Sequence, residues 1–174
     1  MFLRLSQLFS LVATGLLAGL YTGRWLGAPA SKEYSAAVFT EVQQRVDASV
    51  GQTAPVLIMG TIVILGVTLV AIRDFRSARF ALVAVALLLV VAGTITTQVV
   101  NVPINDEINS WTVGSPPADW SDTRDRWEAF HVVRTIVTLL ALGLVAAAFT
   151  VVRPRKTATA PAVTTVDRTV SSPA

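Results

Sequence analysis

Five residues in the C-terminal half of the chain combine side-chain types and a spacing suited to chemistry. Trp120, Arg124, Trp127, His131 and Arg134 stand at offsets 0, 4, 7, 11 and 14. On a helix that turns about 100° per residue they share an arc of roughly 80°. That face offers two indoles, two guanidinium groups and the only imidazole of the chain. Indoles give flat apolar area and an N–H donor; guanidinium forks bind oxyanions or stack on rings. An imidazole can take or release a proton near neutral pH. Glu128, one step off the face, can orient His131 or pair with Arg124 four residues earlier. Asp122, Asp125, Arg126 and Ala129 point elsewhere, so polarity alone does not produce the stripe. An aromatic belt with snorkelling arginines accounts for each tryptophan taken singly. His131 with Arg134, inside a span and on the face of Arg124, points to function.

A second polar group precedes the stripe. Thr94, Thr96, Thr97, Gln98 and Asn101 close an apolar run, followed by Val102-Pro103-Ile104-Asn105. Uncharged polar side chains at the end of a span need partners and face a neighbouring helix or a cavity. Pro103 cannot donate a backbone hydrogen bond and disfavours helix at Val102, so the helix is expected to break there. Asn101 and Asn105 would then stand near freed carbonyls. A new helix is expected after Ser115-Pro116-Pro117, with Asp119 and Asp122 as cap and dipole complement, running on into the final span.

The elements that must position these residues are membrane helices. Of 174 residues, 53% are hydrophobic and 14% charged, with a mean hydropathy of +0.62. Soluble domains carry about 25% charged residues, and one soluble core of this size could not hide so much apolar surface. Uncharged windows of 19, 25, 26 and 18 residues lie between Arg4 and Arg24, Asp47 and Arg73, Arg79 and Asp106, and Arg134 and Arg153. About 20 residues cross the hydrocarbon core as a helix, and the runs lack the alternation of barrel strands. The expected fold is an all-α, integral membrane four-helix transmembrane bundle over residues 1–152. Its helices fall near 5–26, 55–73, 79–100 and 131–152, with an extracytoplasmic cap segment between helices 3 and 4 and a disordered cytoplasmic tail at 153–174.

A cleaved signal peptide is the rival reading of the first run, because Ala28-Pro29-Ala30 resembles a cleavage site. The length of the run favours a retained helix. Gly15, Gly19 and Gly23 share one face of it, a packing seam or a surface for homo-oligomers. Residues 34–50 carry a loose helical period, either an interfacial helix or an extension of the second span.

Loop charge sets the orientation. Arg4, the loop at 73–79 and the C-terminal tail together carry net +6, and the two longer loops net −3. Both termini are therefore expected in the cytoplasm of a plasma-membrane protein. The lipid bilayer is then the first partner, and the weak, dispersed +3 of the whole chain argues against nucleic acid. Cysteine is absent, which excludes disulfides, thiolate metal sites and cysteine nucleophiles. One histidine leaves no multi-histidine metal site. Asp106, Glu107, Glu128 and His131 are the one set able to hold a hard ion, and no metal is expected.

Val100-Asn101-Val102-Pro103-Ile104-Asn105, Trp111, Pro117-Ala118-Asp119-Trp120, Arg124-Asp125-Arg126-Trp127-Glu128 and His131-Val132-Val133-Arg134-Thr135 resemble the anthrone-oxygenase-like family of small four-helix membrane proteins. Gly15 to Tyr21 is similar to the family's first helix, so the resemblance covers about residues 5–152. Most members have no assigned function. The characterised ones imply oxidation of polyketide anthrones to anthraquinones by molecular oxygen, with no flavin or haem motif and hence no cofactor. Carried onto this sequence, the resemblance implies a pocket of Asn101, Asn105, Trp120, Arg124, Trp127, His131 and Arg134. His131 would take the proton, Arg124 or Arg134 and Asn101 would stabilise the oxyanion, and Asn105, Trp120, Trp127 and Glu128 would hold the substrate. The expected function is oxidation of a lipophilic aromatic or quinone-like compound by a cofactor-independent oxygenase. The alternative is a non-enzymatic membrane module that binds a lipid, quinone or partner subunit through the same face. A channel or transporter ranks below both, since spans 2 to 4 carry no acidic residue at mid-depth.

Overall fold

The computed structural model describes residues 1–150, so the expected tail at 153–174 lies outside the described residues. Six α-helices follow in order: α1 (Phe2–Ser31), α2 (Ala36–Val50), α3 (Ala54–Ala71), α4 (Ala78–Thr96), α5 (Val102–Asn109) and α6 (Trp120–Thr150). A π-helical turn, Thr97–Asn101, joins α4 to α5 without interruption. Four stretches are long and apolar enough to cross a membrane: α1, α3, the continuous Ala78–Asn109 and α6. The chain is thus an all-α, multi-pass membrane protein, as its hydropathy pattern predicts.

α6 packs on α1 and α4, and α3 packs on the same two helices, which closes a four-helix ring. The buried face of α6 runs Arg124, Trp127, His131, Thr135, Thr138, Ala141, Val145 and Ala148. This spacing of three and four is the seam of a left-handed bundle. Small residues let the helices approach. A Cβ built on Gly93 of α4 would stand 3.2 Å from Val137 Cγ2. Several buried hydroxyls are satisfied locally, as where Thr14 donates to Ser10 O (2.7 Å) and Thr135 to His131 O (2.7 Å), while Thr22 Oγ1 is buried without a partner. In lipid no water would otherwise serve them.

Length creates a second layer. The 31 residues of α6 span about 46 Å at about 1.5 Å per residue, beyond the roughly 30 Å of hydrocarbon. The surplus of α1, α4–α5 and α6 projects from one end of the bundle, where α2 packs on α5. Two cores result. Leu17, Leu65, Val83, Val90 and Val145 belong to the bundle core, and Phe39, Ile104, Ile108 and Trp127 to the cap core. Residues 36–50 form a separate helix, capped by Ser35, whose Oγ accepts from Val38 N at 3.4 Å.

Two expectations need correction. The helix does not break at Pro103. The N–H of Val102 reaches back five residues to Thr97 O, and this π turn lets Pro103, which has no N–H to place, open α5 in mid-rod. The glycine face is not a seam within the chain either: Cβ atoms on Gly19 and Gly23 would meet nothing within 4 Å, and one on Gly15 only Leu142 Cδ1 at 3.9 Å. The interfaces of α1 use its hydroxyl-bearing side instead, where Ser10 Oγ hydrogen-bonds Thr68 Oγ1 of α3 at 2.9 Å.

Candidate functional site

α6 runs from the bundle core into the cap core as one continuous helix, so its polar face crosses the boundary between the two. Trp127 and His131, one turn apart, stack with ring centroids 5.0 Å apart and planes 8° from parallel. Arg134 Nε donates to His131 Nδ1 at 2.9 Å, and its Nη1 to Thr97 Oγ1 at 3.4 Å. On the other side His131 Nε2 lies 3.0 Å from Tyr21 O of α1. Arginine can only donate, so Nδ1 must accept; a carbonyl can only accept, so Nε2 must carry the hydrogen. The imidazole is therefore neutral, and both its nitrogens are occupied.

Two guanidinium groups flank the indole. Arg134 Cζ lies 5.4 Å from the Trp127 ring centroid and 4.7 Å from that of Tyr21. Arg24 Cζ, from α1, lies 5.0 Å from the Trp127 ring. Neither arginine has a carboxylate at ion-pair distance among the described residues. Arg24 Nη2 donates to Gln43 Oε1 of α2 at 2.7 Å, while its Nε is buried without a partner. Glu128 acts on Arg24 only at longer range, so half-buried cations without a contact ion pair carry a desolvation cost that an anionic ligand would offset.

The indole N–H is also tied down. Trp127 Nε1 donates to Asn105 Oδ1 at 2.6 Å, and Asn105 Nδ2 donates to Asp47 Oδ1 of α2 at 2.7 Å. Asn109 Nδ2 donates to Asp47 Oδ2 at 2.8 Å. The π turn makes this possible, since it brings Thr97 to Arg134 and leaves Asn105 one turn into α5, facing Trp127 and α2.

A cavity of about 170 Å³ opens between these groups. Tyr21, Arg24, Asp47, Asn105, His131 and Arg134 are among its polar lining, and Leu20, Val46, Pro55, Ile58 and Val102 among its apolar lining. Such a space, apolar on one wall with a few convergent polar groups on the other, suits a flat lipophilic molecule carrying an oxygen.

Of the residues expected at the site, Trp127, His131, Arg134 and Asn105 line this cavity; the other four do not. Arg124 sits over the Trp120 ring at 4.9 Å and pairs with Asp125 at 2.9 Å, and Trp120 packs on Phe39 at 5.5 Å, all in the cap. Glu128 is buried and accepts from Ser31 Oγ. Asn101 is buried beside α6, its Nδ2 donating to Trp127 O at 3.2 Å and its Oδ1 unpartnered. Asp106, Glu107, Glu128 and His131 do not converge: among the described residues no group of three or more such side chains could hold a metal. Sequence reasoning missed Tyr21, Arg24, Gln43 and Asp47, whereas Thr97, expected to face a neighbouring helix or a cavity, lines it. The available signal was spacing, Tyr21 with Arg24 and Gln43 with Asp47 at three and four residues, but nothing local showed that these helix faces meet α6.

Fold and cavity together define a class: a multi-pass helical membrane protein with a cationic and aromatic pocket at the junction of bundle and cap. The family described as anthrone oxygenase matches residues 48–161, more than half of the chain, and the chain belongs to that family. The matched stretch begins near the end of α2, later than the expected start near residue 5, so the Gly15–Tyr21 run lies outside it. Asn105, Trp127, His131 and Arg134 lie within; Tyr21, Arg24, Gln43 and Asp47 do not. Compared with curated proteins and with solved structures, the chain has no match.

Proposed function

We propose that this protein oxidises a lipophilic aromatic compound of the anthrone or quinone-like kind with molecular oxygen, without a cofactor. Family membership supports the substrate class. The observation that carries the reading is the pair of guanidinium groups without a contact ion pair, Arg24 and Arg134, on one indole beside a cavity. An anthrone that loses a proton from its methylene carbon becomes a phenolate-like anion. Arg24 and Arg134 would hold the anionic oxygen, while Trp127, fixed by Asn105, borders the rings with its edge. The electron-rich anion then reacts with oxygen, and anthrone plus O₂ gives anthraquinone plus water. In this arrangement His131 keeps Arg134 in place; taking a proton itself would require Arg134 to let go of Nδ1. The net charges of +6 and −3 support the further reading that both termini face the cytoplasm of a plasma-membrane protein, with the cavity outside.

One observation favours a non-enzymatic module that binds a lipid, quinone or partner subunit: the imidazole has no free lone pair. Oxygen uptake by the purified protein in detergent, with anthrone as substrate, separates the two. The oxygenase consumes one O₂ per anthraquinone formed, faster than buffer alone; a binding module retains the anthrone and consumes none.

A further inference from the structure

The oxygenase reading needs a proton acceptor at the cavity, and the occupied nitrogens of His131 leave that role open. Among the described residues that line the cavity, Asp47 is the only carboxylate. Glu128 is buried away from it against Ser31 Oγ.

We propose that Asp47, on the last turn of α2, is the base that takes the proton from the bound aromatic substrate, a claim that rests on the oxygenase reading for its substrate class. Two neutral amides hold the carboxylate still without neutralising it. Asn105 Nδ2 donates to Oδ1 at 2.7 Å and Asn109 Nδ2 to Oδ2 at 2.8 Å. A carboxylate oxygen accepts two hydrogen bonds, so each keeps a lone pair. No arginine or lysine stands at ion-pair distance among the described residues. Asn105 also accepts from Trp127 Nε1 at 2.6 Å, so one carboxamide sets the base and the indole relative to each other. Substrate position and base position are thereby coupled, which proton abstraction from carbon requires.

In this step the methylene C–H bond breaks and an O–H bond forms on Asp47. The electron pair moves through the ring to the carbonyl oxygen, where Arg24 and Arg134 meet it. No oxidant takes part. The step can therefore be read without oxygen, as exchange of the anthrone methylene hydrogens in D₂O under anaerobic conditions, followed by mass spectrometry.

With the full chain in detergent, exchange runs well above the buffer rate. Asp47→Asn lowers the enzymatic rate about 100-fold, and Asp47→Glu recovers part of it. Anthraquinone still quenches tryptophan fluorescence in both variants. Exchange in Asp47→Asn at the wild-type rate, or in wild type no faster than buffer, overturns the proposal. Readmitting oxygen separates the two claims. Exchange that depends on Asp47 with no oxygen uptake keeps the base and removes the oxygenase. Uptake that survives Asp47→Asn removes the base and keeps the oxygenase.

Discussion

An imidazole held between an arginine donor and a carbonyl acceptor has one protonation state available, and the residue chemistry of this site follows from that. His131 presents Nδ1 to Arg134 and Nε2 to Tyr21 O, and so behaves as a rigid neutral spacer between Trp127 and the guanidinium. Glutamine can copy the pattern, its Oε1 accepting from Arg134 and its Nε2 donating to Tyr21 O. His131→Gln should keep oxygen uptake within about tenfold of wild type. His131→Leu leaves the half-buried Arg134 without its acceptor for Nε–H, which costs about 1 kcal/mol, and should lower kcat by roughly 10²–10³ through loss of the positioned oxyanion donor. If Gln and Leu fail equally, His131 is itself the base. The pattern of residue types in α6 revealed Trp127, His131 and Arg134. It could not separate them from Trp120 and Arg124, because a shared helix face says nothing about where along its length the neighbouring helices leave a gap.

At the scale of elements, the spans were legible because hydrocarbon imposes length and apolarity on every crossing helix. The π turn was not. Pro103 signals a missing donor, and a break or a five-residue reach accommodates it equally well in sequence. Packing of Thr97 and Asn101 against α6 selects the second. The contribution of α1 and α2 was hidden for a similar reason: Arg24 and Asp47 read as charges that end apolar windows, whereas the surplus length of the helices folds both back over the cavity. The α4–α6 contact is the joint that holds Arg134 to Thr97. A Cβ on Gly93 would stand 3.2 Å from Val137 Cγ2 and 4.0 Å from Arg134 Cβ. Gly93→Val should therefore push α6 outward, lowering stability in detergent by about 1–3 kcal/mol as overpacked cores do. A mid-point of thermal unfolding unchanged from wild type would show the joint to be slack.

For the whole molecule, function follows from two cores stacked end to end on one continuous rod. The cationic pocket lies between the bundle core and the cap core, lined by residues of α1, α2, α3, the α4–α5 rod and α6. If the charge asymmetry sets the topology, Ser115→Cys in the loop after α5 should react with an impermeant maleimide in intact cells. Arg76→Cys, in the loop after α3, should react only after permeabilisation; the chain has no native cysteine to confuse the result. The reverse labelling would place the cavity on the cytoplasmic side. The central claim is that two arginines without a contact ion pair make this pocket select an aromatic oxyanion. The direct measurement compares, by quenching of tryptophan fluorescence, the affinity for 2-hydroxyanthraquinone as its phenolate with that for neutral anthraquinone. The phenolate should bind about 10–100-fold tighter, as one charge-assisted hydrogen bond allows, and Arg24→Gln with Arg134→Gln should erase the preference. Equal affinity in wild type, or a preference that survives the double substitution, would contradict it.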